Sequence, residues 1–264
     1  MPIPSTERFG DRVESYRRHR PRYPRAVLDL LARECGLVRE TEIADIAAGT
    51  GLLTEIFLAH GNSVVAIEPN ASMRRACAAL TAQYPQLRCI DGTAESTGIP
   101  AHSVDMVTVG QAMHWFDLGR AHTEFLRILR PGGWCVVVDN QRRMHGGPFH
   151  DGYERILQKF GLDYEQVRNR YLRSEQLAQF FGQASLHRAT LPNVQMFDLA
   201  GLTGRILSSS YMPQEGHPRY AAMVAEIEAL FLRCAEGGHV RMEYECVVNY
   251  GQLGAIGAHA GRDT

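Results

Sequence analysis

Short apolar runs alternate with amphipathic segments along the first half of the chain, and this alternation predicts strands followed by helices. The runs that begin at Ile43, Ser63, Leu87, Val104 and Trp134 are four to six residues long and carry few charges, as buried strands do. The segments between most of them place apolar residues three or four positions apart, which favours one buried helix face. Strands joined in this way need right-handed crossovers, so the pattern predicts a parallel sheet covered on both faces.

The flanking segments are also patterned. Before the core, one short helix is expected between Asp11 and Pro21, and a second opens at Pro24 and closes at Gly36. After Asp139 the pattern loosens, and we expect helices over 148–160, 174–181, 201–207 and 219–234 with a strand over 186–197 that is irregular at Pro192. Residues 240–250 alternate apolar and polar side chains, which predicts a last strand at the end of the sheet. We expect one domain over 1–264, with N-terminal helices at 8–36, a core at 40–140, a helical elaboration containing the sixth strand at 141–238, and the last strand at 239–252.

A glycine-containing turn follows the first strand, with the sequence Asp-Ile-Ala-Ala-Gly-Thr-Gly from Asp45 to Gly51. Glycines let the backbone approach a ligand closely, and the next helix directs free N–H groups towards it. Glu68 ends the second strand, where a carboxylate can accept hydrogen bonds from two ribose hydroxyls. Together these features predict a nucleoside across the carboxyl ends of the first two strands.

The turn departs from the dinucleotide fingerprint, because Leu52, Leu53 and Thr54 follow Gly51 where a third small residue is required. Asp-x-x-x-Gly-x-Gly instead resembles motif I of the class I S-adenosylmethionine-dependent methyltransferases, although Ala47 stands where many members have glycine. Segments 67–73, 91–95 and 129–133 resemble further motifs of this family, and segments 16–24 and 111–117 resemble motifs of its subgroup that includes the trans-aconitate methyltransferases. The resemblance covers about residues 8–140. It implies a Rossmann-like, doubly wound α/β sheet of seven strands, mostly parallel with one antiparallel strand, carrying helical additions on the substrate side.

The resemblance also implies the cofactor, S-adenosylmethionine, and the residues around it. Glu68 would hold the ribose, Met73 would pack near the adenine, and the loop after the third strand would bind the adenine edge. The expected cofactor contacts are Asp45, Ala47, Gly49, Gly51, Glu68, Pro69, Met73, Thr93, Ala94, Glu95, Gln111 and Trp115. The segment 11–24 is expected to close as a lid, with Arg20 on the cofactor carboxylate and Tyr16 shielding the methyl group.

The acceptor side is less defined, because methyl transfer from a sulfonium needs alignment and exclusion of water more than a fixed catalytic residue. His114 is the leading candidate for a base, with Tyr16 as the second catalytic residue. His19, Arg142 and Tyr211 are the expected substrate residues, and an arginine there could hold a carboxylate or phosphate. Aromatic residues of the elaboration could enclose a flat small molecule: Phe149, Tyr153, Phe180, Phe181, Tyr211 and His217.

Composition narrows the class of function. The formal net charge is -1 and no basic module is appended, which argues against a dedicated nucleic-acid binder. Lys159 is the only lysine and is followed by Phe160, so a Walker A loop is excluded. The six cysteines form no C-x-x-C pair, so no metal site is expected and a reducing compartment is favoured. No long apolar run or leader is evident, and we expect a cytoplasmic protein.

We predict methyl transfer to the oxygen or nitrogen of a small molecule. A methyltransferase of nucleic acid or protein, and a cofactor-binding relative without catalysis, remain open alternatives. The acceptor and the oligomeric state are not readable from the sequence.

Overall fold

The computed structural model describes residues 13–168, 174–182 and 185–254. Within them, seven strands form one sheet in the order β3-β2-β1-β4-β5-β7-β6. The strands are β1 Ile43–Ile46, β2 Val64–Ile67, β3 Leu87–Ile90, β4 Val104–Gly110, β5 Leu129–Arg142, β6 His187–Phe197 and β7 Val240–Gly251. This is the doubly wound sheet that the sequence predicts.

The α-helices lie before β1 and between most of the consecutive strands. They are α1 Val13–His19, α2 Ala26–Cys35, α3 Thr54–His60, α4 Ala71–Ala78, α5 Leu118–Ile128, α6 Pro148–Phe160, α7 Tyr164–Arg168, α8 Ser174–Phe181, α9 Leu199–Leu207 and α10 Tyr220–Cys234. Local chemistry sets several of their ends: Gly36 closes α2 at φ 68°, and the side chain of Asn70 caps α4. None of the described helices has the length and apolarity needed to cross a membrane.

Parallel pairing brings the carboxyl ends of three strands to one edge. Ile46 at the end of β1 is in register with Ile67 of β2 on one side and with Val109 of β4 on the other. The residues that follow these strands therefore share an edge of the sheet, where open α/β sheets bind ligands. The loop after β1, Glu68 and Gly110 all lie there.

The last strand lies inside the sheet. β7 runs antiparallel to β5 and to β6 and separates them, so β6 is the edge strand. The sequence predicts one antiparallel strand at the end of the sheet, and the structure corrects its position. Pro192 pairs opposite Glu245 without a register shift, because an edge strand tolerates a residue that has no N–H to donate.

Two further differences concern β5 and the segment after α6. β5 begins at Leu129, so the predicted turn at 131–133 belongs to the strand, with Gly132 at φ 80°. α7 is a helix that the pattern did not predict. Residues 8–12 of the predicted N-terminal helices, including Asp11, lie outside the described residues.

Three clusters of buried side chains stabilise the fold. Two of them lie between the sheet and its helices. The third joins α6, α9 and α10 to the ends of β6 and β7, with Tyr153, Ile206 and Met242 fully or almost fully buried. This third cluster places α9 and the residues after it opposite the carboxyl edge of the sheet.

Candidate active site

Asp45 orders the loop after β1 through buried hydrogen bonds. Its side chain is fully buried and accepts hydrogen bonds from the hydroxyls of Thr54, at 2.5 Å, and Thr108, at 2.9 Å. Burial raises the pKa of this carboxyl from 3.8 to about 6, although the two hydroxyls oppose the shift. Asp45 therefore lines neither of the cavities described below, because its side chain is buried and orders the loop, and its contact with the cofactor stays a prediction.

The loop itself adopts left-handed backbone conformations. Ala47 has φ 53°, which costs a residue with a Cβ about 1–2 kcal/mol. Gly49 has φ 59°, and a Cβ there would meet no heavy atom within 4 Å, so its backbone faces open space. Gly51 has φ 86°, and a Cβ there would lie 2.8 Å from Leu80 and 2.9 Å from Cys77. Gly51 thus allows the loop to pack on α4, and it does not line the cavity.

Glu68 fixes the other side of this loop. Its two carboxylate oxygens accept hydrogen bonds from the backbone N–H groups of Gly49 and Asn70, both at 2.8 Å. Burial raises the pKa of Glu68, and these two hydrogen bonds oppose the shift. Each carboxylate oxygen has a second lone pair, which leaves acceptor capacity for hydroxyl groups of a ligand.

A cavity of about 200 Å³ opens beside Glu68. The predicted cofactor residues that line it are Ala47, Gly49, Glu68, Pro69, Met73, Thr93, Ala94, Glu95, Gln111 and Trp115, together with Tyr16 from the N-terminal helix. Its wall combines one buried carboxylate with the apolar side chain of Met73 and the exposed backbone of Gly49. This surface suits a ribose carrying a flat base.

A second, larger cavity of about 430 Å³ adjoins the first. It is lined by His114 from the end of β4, by Arg142 from β5, and by Arg205 and Tyr211 from the C-terminal half. Tyr16, Gln111 and Trp115 line both cavities, so these three side chains mark the place where the two spaces meet.

The residues that follow β4 shape this junction. Gln111 has φ 58°, and its side-chain amide donates to the carbonyl of Asn140 at 3.0 Å. The following 3-10 turn holds the rings of His114 and Trp115 with their centroids 4.9 Å apart. His114 is half-buried and faces the larger cavity, where a base for the acceptor would have to stand.

Arginines dominate the charge of the larger cavity. Arg142 forms an ion pair with the buried carboxylate of Glu154, which also accepts hydrogen bonds from the hydroxyl of Tyr164. Arg205 is buried on α9. Burial works against its charged form, but the surrounding phenols, Tyr153 foremost, raise the pKa of its guanidinium overall. Both side chains are therefore cations at neutral pH.

The structure places several of the predicted residues away from the smaller cavity. Arg20 lines the larger cavity and not the smaller one, and its guanidinium stacks on Tyr16, with its central carbon 4.9 Å from the ring centroid. His19 lines neither cavity, because its ring packs against Gly204 of α9, where a Cβ would lie 2.4 Å away. Of the aromatic residues expected to enclose the substrate, Tyr211 reaches the cavity, whereas Phe149, Tyr153, Phe180 and Phe181 are buried in the core.

Sequence reasoning missed Arg205 and Tyr164. Arg205 shares the buried face of α9 with Leu202 and Ile206, at helical spacing, so a charge on an apolar face was visible in the sequence. Tyr164 gave no such signal, because its role depends on meeting Glu154 across a turn.

Proteins named as methyltransferases resemble this chain in sequence. A family model described as a methyltransferase domain matches residues 44–137. An uncharacterized methyltransferase of Mycobacterium tuberculosis strain H37Rv is 38% identical over 162 residues, which cover 61% of this chain and 62% of that protein. An uncharacterized methyltransferase of Schizosaccharomyces pombe is 25% identical over 223 residues, covering 83% of this chain and 86% of that one. The match to the mycobacterial relative thus spans about three fifths of its length.

Solved structures extend the likeness to most of the described fold. A protein named as a type II methyltransferase from Anaeromyxobacter dehalogenans superposes with a TM-score of 0.60 at 22% identity, over 88% of this chain and 97% of that chain. The YcgJ protein of Bacillus subtilis superposes with a TM-score of 0.54 at 16% identity, over 88% of this chain and 100% of that chain. At such identities the likeness shows the fold alone.

Proposed function

We propose that this chain, whose residues 44–137 match a methyltransferase domain model, transfers the methyl group of S-adenosylmethionine to a small molecule. The observation that carries the proposal is the junction of two cavities at Tyr16, Gln111 and Trp115. A two-substrate transfer needs both reactants in contact at one point, and this arrangement supplies a separate space for each on either side of that point.

The smaller cavity fits the cofactor. Glu68 would accept hydrogen bonds from the ribose hydroxyls, Met73 would pack on the adenine, and the open backbone at Gly49 would allow close approach. When bound, S-adenosylmethionine supplies an electrophilic methyl carbon on a sulfonium. The protein's own part is to align the acceptor with that carbon and to exclude water from the junction.

His114 and Tyr16 would act at the acceptor. His114 faces the larger cavity beside Trp115, and an imidazole there can take a proton from an oxygen or nitrogen nucleophile as the methyl carbon is transferred. Tyr16, on α1, stands at the junction and would cover it from the solvent side. In this role α1 acts as the lid that the sequence predicts.

The walls of the larger cavity favour a small molecule over a nucleic acid or a protein. Its wall is formed by side chains from α1, from the ends of β4 and β5, and from α9 with the segment after it, and such a space admits a compact ligand. A polymer substrate would instead need an extended charged or apolar groove at the junction. The cytoplasmic location is part of the same proposal and rests on the scattered cysteines.

Calorimetric titration of the purified chain tests the proposal. S-adenosylhomocysteine should bind at one site per chain, and NAD should produce no saturable heat. In the same samples, release of S-adenosylhomocysteine from S-adenosylmethionine should depend on addition of a small-molecule extract. Saturable binding of NAD, or no binding of S-adenosylhomocysteine, would overturn the cofactor assignment. Transfer to tRNA or protein, but not to small molecules, would favour the alternative acceptor class.

A further inference from the structure

Arg205 is the least expected residue of the larger cavity. It lies on α9, on the face that carries Leu202 and Ile206 into the third core cluster, and it is 7% exposed. A charged residue at such a position is rare unless a partner compensates the charge.

Arg205 has no acidic partner among the described residues. Its Nε donates to the hydroxyl of Tyr244 and its Nη1 to the hydroxyl of Ser209, both at 3.3 Å, which are long bonds to neutral oxygens. Arg142 in the same cavity differs, because Glu154 neutralises it. A guanidinium carries five N–H donors and two are used here, so Arg205 retains three further donors and a charge that no described carboxylate neutralises.

The described wall of the cavity in front of Arg205 supplies no negative charge. It contains Arg20, Arg142 and Arg205 but neither an aspartate nor a glutamate. Arg20 also pairs with no described carboxylate: its Nη2 donates to the carbonyl of Ser208 at 3.2 Å, and its buried Nε has no partner within the described residues. Arg20 and Arg205 therefore face the same cavity, and no described residue in its wall carries a negative charge.

We propose that Arg205 anchors an anionic group of the acceptor, a carboxylate or a phosphate, in the larger cavity. The proposal rests on the proposed function, since it names the class of molecule that occupies the acceptor space. A planar guanidinium suits both anions, because two parallel N–H groups can bond two oxygens. The bound anion would supply the negative charge that the described residues around Arg205 lack.

The anion is an anchor and is not the atom that receives the methyl group. Arg205 lines the larger cavity alone, whereas Tyr16, Gln111 and Trp115 line both spaces and mark the point of transfer. An anionic group on Arg205 therefore lies beyond the junction, and a different atom of the acceptor faces the cofactor. The charge of the acceptor is carried through the reaction unchanged.

Binding of simple probes to the full chain tests this inference without turnover. Benzoate, phenyl phosphate and the uncharged benzamide are titrated by calorimetry at constant ionic strength, with wild type, Arg205→Met and the control Arg155→Met, an arginine exposed on α6. At least one of the two anions should bind wild type and the control equally. Arg205→Met should weaken that binding roughly 10- to 100-fold, the effect of losing a hydrogen bond to a charged group. Benzamide should bind all three proteins at least roughly tenfold more weakly than the anion binds wild type.

Stability without a ligand gives a second readout. Because the buried charge is uncompensated, Arg205→Met should unfold at the same or a higher urea concentration than wild type, and the anion should stabilise wild type more than the variant. If Arg205→Met does not fold, or is much less stable than wild type, Arg205 is a structural residue and the inference fails.

Arg205→Lys keeps the positive charge but loses the planar pair of donors. It should therefore bind the anion more weakly than wild type and more tightly than Arg205→Met. An affinity equal to that of wild type would contradict recognition by the guanidinium.

Further outcomes overturn the inference. Equal anion affinity in wild type and Arg205→Met, or no anion binding to wild type, contradicts the anchor. If benzoate or phenyl phosphate raises the dissociation constant of S-adenosylhomocysteine, the anion competes for the cofactor carboxylate and Arg205 belongs to the cofactor site. Failure of S-adenosylhomocysteine to bind at all would defeat the proposed function, and the anion titrations would remain interpretable separately.

Discussion

Replacement of Asp45 by asparagine is expected to make folding stability rise with pH relative to wild type. Burial raises the pKa of Asp45 from 3.8 to about 6, so the folded state holds this proton more tightly than the unfolded state. Wild type therefore loses stability as pH rises from about 3 to about 7, by about 3 kcal/mol in total at 1.36 kcal/mol per pKa unit. Asparagine has no proton to lose, so the variant lacks this contribution.

The substitution is conservative in shape. In the Asp45→Asn variant the amide oxygen of the new side chain can accept from one threonine hydroxyl, and the other hydroxyl can turn to accept from the amide. The free energy of unfolding of the variant minus that of wild type should therefore increase by about 3 kcal/mol between about pH 3 and about pH 7. Because Asp45 is sealed from the cavity, the affinity for S-adenosylhomocysteine should change little.

Urea unfolding across this pH range measures the difference, with Asp29→Asn as a control at an exposed carboxylate on α2. The control should show a much smaller pH-dependent difference, because water solvates that charge. A difference for Asp45→Asn that stays constant, or that falls as pH rises, would refute the assignment of the pKa shift to burial. A large loss of cofactor affinity in a folded Asp45→Asn protein would contradict the purely structural role of Asp45.

Four further predictions concern the loop, the carboxylate beside it and the candidate base. Gly51→Ala should lower the free energy of unfolding, measured in urea, by about 2–4 kcal/mol, because backbone strain adds to the contact of the new Cβ with two side chains. Gly49→Ala should lower it by about 1–2 kcal/mol, because no heavy atom is near that Cβ. Equal losses would contradict the packing of Gly51. Ala47→Gly should leave the free energy of unfolding unchanged or raise it by up to about 1 kcal/mol, because relief of the left-handed strain offsets the larger entropy that glycine loses on folding. A loss of more than about 1 kcal/mol would show that no strain was present. Glu68→Gln should weaken S-adenosylhomocysteine binding by about 1.5–3 kcal/mol in calorimetry, because one carboxylate acceptor becomes a donor facing a backbone N–H, and unchanged affinity would remove Glu68 from the site. His114→Gln should lower kcat by a factor of about 10²–10⁴ with little change in cofactor affinity, and near-normal turnover would leave transfer to alignment alone.

The part of the fold around the smaller cavity could be predicted because the sequence features that define it are mostly local. Short runs of four mostly apolar residues define β1 to β3, and the acid that follows β2 falls at the sheet edge by the register of parallel strands. The caps at Asn70 and Gly36 are short-range too. The runs and caps depend on neighbours a few positions away, and the register joins strands that follow one another in the chain.

His114, Arg142 and Tyr211 were predicted for the acceptor side and line the larger cavity, but other features could not be predicted because they are contacts between distant segments. The place of β7 between β5 and β6 depends on antiparallel pairing between strands that are far apart in the sequence. Asp45 looked like a ligand contact, and its burial depends on Thr108, which lies 63 residues away. The charge of Arg205 was visible on an apolar helix face, but the lack of a carboxylate partner emerges only when the described fold is assembled.

A crystal structure of the chain with S-adenosylhomocysteine is the most direct test of the proposed arrangement. We expect the adenosine in the smaller cavity, with both ribose hydroxyls on the carboxylate of Glu68 and the sulfur at the junction of Tyr16, Gln111 and Trp115, facing the larger cavity. An adenosine bound away from Glu68, or a sulfur directed away from the larger cavity, would contradict it.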